Sequence, residues 1–127
     1  MNWQITLVVA FFMPYLARIP GMFTRGPEWL WSYIPSLNAV LFFSMFNLIA
    51  LVPLGVLGFF SASKGMEVSF ILTTIVYMGL TFFFHYGYDL ASDAQAAIGL
   101  MIIPLVIAGI TLVTALVTFF AEMVIKR

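Results

Sequence analysis

A chain of 127 residues of which 64% are hydrophobic and only 8% charged, with a mean hydropathy of +1.13, carries more apolar surface than a water-soluble domain of this size can bury. Five basic and five acidic side chains cancel, which gives no electrostatic footprint for nucleic acid as a partner. The absence of cysteine excludes a disulfide framework and thiolate chemistry. The composition predicts an all-α integral membrane protein whose first partner is the lipid bilayer.

The chain opens with MNWQITLVVAFFMPYLARIP. No basic residue precedes its apolar run and no small-x-small cleavage pattern follows, so it reads as a retained segment and not as a secretory signal. From Ile5 to Ala17 it is short for a span and contains Pro14; extended to Phe23 it reaches spanning length but carries Arg18, whose stem would snorkel to the headgroups. A re-entrant course is the alternative. Residues 24–35 then set prolines 27 and 35 around Trp29, Trp31 and Tyr33. Rings of this kind favour the membrane-water boundary, which predicts an interfacial segment.

The second span, about 36–62, has no ionisable residue. It places Ser44, Asn47 and Gly58 on one face, with Pro53 and Gly55 as sites of kinking or, as in transporters, of unwinding. A third span, about 68–86, ends in TFFFHYGYDL, the setting of the only histidine. Thr74, Tyr77, Thr81 and His85 step by three or four residues along one helical face. If the helix continues through Tyr88, Asp89 lies one turn beyond His85 and Asp93 extends the face. Three readings follow: an aromatic belt at headgroup depth, a pH-responsive His85 and Asp89 pair, or a metal site that lacks a visible fourth ligand. The fourth span, about 96–121, is preceded by Ser92 and Asp93 as candidate caps. It carries a seam at Pro104, Ala108, Thr111, Ala115, Thr118 and Glu122. Small residues at that spacing let helices approach closely, which marks Ala108, Thr111, Ala115 and Thr118 as a packing face. Glu122 stands four residues before Lys126, the favourable order for a helical ion pair.

Short loops at 61–67 and 88–95 make the last three spans antiparallel neighbours. The expected architecture is a single transmembrane domain over 1–127: a small antiparallel bundle of four transmembrane helices, or three if segment 3–23 does not cross, with an interfacial segment after the first. Lys64, Lys126 and Arg127 share one side against Arg18 and Arg25, which predicts a cytoplasmic C-terminus. SDAQAAIGLMIIPLVIAG resembles loop-helix passages of short bacterial membrane proteins, which implies a bacterial inner membrane. In size and multi-span architecture the chain is also similar to colicin-type immunity proteins, a likeness of shape alone.

No nucleophile-base-acid constellation, phosphate loop or HExxH pattern is present, so neither catalysis nor a cofactor is expected. The polar candidates are His85, Asp89, Asn47 and Glu122. The sequence points to a small membrane protein that acts by binding another membrane component, as an accessory subunit or an immunity-type protein does, with self-association as the other form of partner. The alternative is a homo-oligomeric channel or small transporter lined by Asn47, the span-four threonines and the His85 stripe.

Overall fold

The computed structural model describes residues 2–90 and 95–127; the candidate caps Ser92 and Asp93 lie outside them. The regular structure among the described residues is helical: α1 (Trp3–Leu16), α2 (Ile19–Arg25), α3 (Glu28–Trp31), α4 (Leu37–Lys64), α5 (Glu67–Tyr86) and α6 (Ala96–Ile125). Four stretches are long and apolar enough to cross a membrane, namely Trp3–Arg25 (α1 with α2), α4, α5 and α6.

Local chemistry accounts for the boundaries. Asn2 caps α1 by accepting from the backbone N–H groups of Gln4 and Ile5 at 3.0 and 3.1 Å. Ser36 caps α4 through the N–H of Ala39 at 3.2 Å. That helix ends where Gly65 adopts the left-handed conformation, φ 68°, and returns its N–H to the Ser61 carbonyl. Pro53 lies inside α4 without interrupting it. Of the two alternatives at this proline, kinking or unwinding, the unwinding does not occur, since a proline removes one backbone hydrogen bond and packing against neighbours holds the rest of the helix.

α4 and α5 form the centre, with α1 packed against both and α6 against both from the other side. The α5 and α6 helices run antiparallel, as shown by Ser69 meeting Glu122 and Thr73 meeting Thr118. The first segment traverses the bundle. Trp3 packs at Gly58, near one end, while Arg18 reaches the carbonyl of His85 at the other. Leu54, Phe70, Tyr77 and Ile107 are fully buried between these helices.

Polarity is arranged from inside to outside in the opposite sense to a soluble protein. On α5 the residues Ser69, Thr73, Tyr77, Thr81 and His85 are each at most 2% exposed, whereas Ile75 and Phe83 on the outer face are 62% and 75% exposed. Successive members of such a four-residue row drift by about 40° around a helix. The row therefore begins against α6 at Ser69 and ends beneath the interfacial segment at His85.

Close approach of α1, α4 and α5 depends on Gly58. A Cβ there would sit 3.0 Å from the Trp3 side chain and 3.1 Å from the Phe70 ring. Gly58→Val is expected to cost about 1–3 kcal/mol through overpacking. Gly79 faces open space, and Gly79→Ala should be neutral or stabilising by up to about 1 kcal/mol. Denaturant unfolding in detergent, followed by circular dichroism, checks both; equal losses from the two variants would remove close packing as the cause.

Candidate functional site

The strongest constellation of polar groups lies where α2, α3 and the end of α5 meet. Gly21 leaves room for the Trp29 indole, which would overlap any Cβ at that position. Trp29 thereby folds over the bundle end, and its Nε1–H donates to the Tyr86 carbonyl at 3.0 Å. Beneath it Arg18 is 0% exposed. Its Nε–H donates to the Trp29 carbonyl at 2.8 Å, one terminal nitrogen donates to the carbonyls of His85, at 3.0 Å, and Tyr88, and the other reaches Ser32 Oγ at 3.4 Å. The guanidinium also lies 3.8 Å from the Trp29 ring centroid and 4.2 Å from that of Tyr33.

This arrangement corrects the snorkelling expected of Arg18. The last carbonyls of a helix have no partners within it and carry partial negative charge. A planar guanidinium with five donors can serve the His85 carbonyl at the end of α5 together with the Tyr88 and Trp29 carbonyls, so the side chain turns inward onto α5 instead of outward to water.

The His85 ring is buried under Tyr33, with the Tyr33 hydroxyl 2.9 Å from Nδ1 and the two rings nearly perpendicular. Two readings of this histidine change. The α5 helix ends at Tyr86, so Asp89 is not carried onto the His85 face by helical continuation. Nor does the imidazole face the lipid boundary as a belt residue would: Phe83 and Tyr86 point outward and His85 inward. The remainder of the expected face, Asp93, falls outside the described residues. Among the described residues no three of His, Asp and Glu converge as a metal site requires.

Glu122 marks the opposite end of α5. It is 6% exposed and accepts from the backbone N–H of Ser69 at 2.7 Å, from the Ser69 hydroxyl at 2.5 Å and from the N–H of Val68 at 3.4 Å. Lys126 Nζ lies 2.9 Å from Glu122 and also donates to the Gly65 carbonyl. One carboxylate and one ammonium thus join the end of α4, the start of α5 and the end of α6.

Of the span-four seam, Pro104, Thr111, Ala115 and Glu122 are buried. Ala108 packs on the core, and the Thr118 hydroxyl meets Thr73 at 3.3 Å while donating back to the Thr114 carbonyl at 2.8 Å. Asn47 from α4 lines a small cavity together with His85. His85 and Glu122 stand about 24 Å or more apart along α5 by helical rise and form no common site. Sequence reasoning did not single out Ser69 or Thr73, although the four-residue row that leads from them to His85 was there to be read.

Comparison with protein-family models, curated proteins and solved structures returns no match.

The cage generates two expectations. Arg18→Lys keeps the charge but loses the fork, leaving buried carbonyls unpaired at about 1–3 kcal/mol each; detergent-solubilised protein should unfold at markedly lower denaturant, and an unchanged midpoint would refute the cage as a clamp. Burial raises the pKa of the Tyr33 phenol above its ordinary value. As pH rises past about 10 the unfolded chain ionises this group and the folded chain does not. Its stabilisation is therefore complete below that pH and lost above it. Alkaline unfolding titrations should show a shallower decline for Tyr33→Phe than for the wild type.

Proposed function

We propose that the chain is a multi-pass membrane protein that acts by binding another membrane component, with a hydrophobic helix of that component seated between α4 and α6. The observation that carries this reading is an open groove of about 570 Å³ along those helices, lined by apolar residues such as Val52, Val56, Phe60, Gly109 and Leu112. The groove extends on α4 from Ile49 to Phe60, which is about three turns along which a second helix can lie. Gly109 has open space beside its Cα, so a second backbone can approach closely there. Lys64, Lys126 and Arg127 at one end favour an inner-membrane orientation with that end in the cytoplasm.

The placement of polar groups favours this over a homo-oligomeric channel. Thr111 and His85, expected to line such a pore, face the interior of one chain, and the surface that copies would present to one another is apolar. One observation favours a small transporter as the second reading: an open cleft of about 260 Å³ lies at the His85 end, lined by Ser32, Tyr33, Phe43 and Leu100 among others.

Photo-reactive side chains placed at Val56 or Leu112 in native membranes should yield an adduct with a second, different protein. Gly109→Leu projects into the groove from a position where a Cβ meets nothing within 4 Å, and should abolish the adduct while leaving unfolding unchanged. Adducts with copies of this chain alone, or substrate flux through the purified protein in liposomes without an adduct, would reject partner binding.

A further inference from the structure

The His85 ring offers two nitrogens and the protein satisfies one. Nδ1 is engaged by Tyr33 at 2.9 Å, while Nε2 is buried with no hydrogen-bond partner among the described residues. An imidazole nitrogen left that way costs about 1–3 kcal/mol. The site it occupies is not solid. His85 lines a cavity of about 20 Å³ together with Tyr15, Tyr33, Phe43, Asn47 and Leu100. A volume of about 10–15 Å³ on that measure holds one water molecule, provided two or more polar partners converge on it. The wall includes three residues with polar side chains besides Tyr33: Asn47 from α4, Tyr15 from α1 and His85 from α5.

The hydrogen-bond inventory assigns the proton. Burial raises the pKa of the Tyr33 phenol, which keeps it an O–H donor. Its one observed side-chain hydrogen-bond contact is His85 Nδ1. With Tyr33 donating, Nδ1 accepts and the imidazole proton resides on Nε2, which then needs an acceptor. A water oxygen is one, and Asn47 and Tyr15 in the same wall carry oxygens able to accept that water's own protons.

We propose that the cavity between His85 and Asn47 is a binding site for a single water molecule, which accepts from His85 Nε2–H and donates to the Asn47 amide, bridging α5 to α4. The adjoining cleft of about 260 Å³ shares Tyr33, Phe43 and Leu100 with the cavity, so those three side chains form the wall through which the water exchanges. The site is separate from the α4–α6 groove and does not depend on it.

The chain has one histidine, so isotopic labelling of histidine gives one imidazole signal set for the intact protein in lipid nanodiscs. Solid-state NMR should find Nε2 protonated, Nδ1 unprotonated, and magnetisation passing from water to the Nε2 proton. Asn47→Leu replaces the amide with an apolar group of similar volume; it should eliminate the transfer while the tautomer, set by Tyr33, is retained. Tyr33→Phe should release the tautomer preference. An absence of transfer in the wild type disproves the site whether or not the variants fold. A proton on Nδ1, or transfer undiminished in a folded Asn47→Leu, disproves it as well.

Discussion

The structure depends on how the two ends of α5 are satisfied. A helix in an apolar setting cannot leave its first N–H groups and last C=O groups to water. α5 starts at Glu67, and its N-cap residue, Met66, supplies no side-chain hydrogen bond. The missing acceptor comes from α6, whose Glu122 takes the N–H of Ser69 and contacts that of Val68. The missing donor comes from the turn after α1, whose Arg18 takes the carbonyls of His85 and Tyr88. A negative group therefore sits at the positive end of the helix dipole and a positive group at the negative end. Each is a charge-assisted contact of about 1.5–3 kcal/mol, and each ties α5 to a different helix.

Those two clamps explain the inward polarity. Once α5 is anchored at Ser69 by α6 and at His85 by the interfacial segment, its four-residue row of Ser69, Thr73, Tyr77, Thr81 and His85 has to follow the interior. Ser69 donates to Glu122 and Thr73 meets Thr118, both on α6, while the neighbouring Thr74 donates back to the Phe70 carbonyl. Bonds of this kind add modestly to helix association in lipid. Their greater consequence is to leave the outer surface to apolar side chains such as Ile75 and Phe83.

The segment between α2 and α4, expected from its sequence to be interfacial, has a structural part in the bundle. Trp29 and Tyr33 cover the Arg18 guanidinium with aromatic faces, and the Tyr33 hydroxyl holds the His85 ring. Residues 26–35 thus form a cap over one end of the bundle, continuous with its core. The other end is joined by Glu122 and Lys126 across three helices. Between these fastenings the α4–α6 groove is open, and the apolar side chains that line it contribute no polar clamp of their own.

Composition and periodicity by themselves determined the helical class, the apolar stretches that became α1 with α2, α4, α5 and α6, and the small-residue spacing of α6. These follow from local rules: uncharged apolar runs of sufficient length, caps such as Ser36, and breakers such as Gly65. What only the tertiary structure decided is which polar groups meet. Arg18 and His85 are 67 positions apart in the chain, as are Tyr33 and His85 by 52 and Ser69 and Glu122 by 53. No local pattern specifies such pairs. The sequence made Asp89 the natural partner of His85 because one helical turn separates them, but α5 stops at Tyr86 and the ring turns toward Tyr33. A buried polar group takes the partner that packing brings near, and that choice is made only when the helices are assembled.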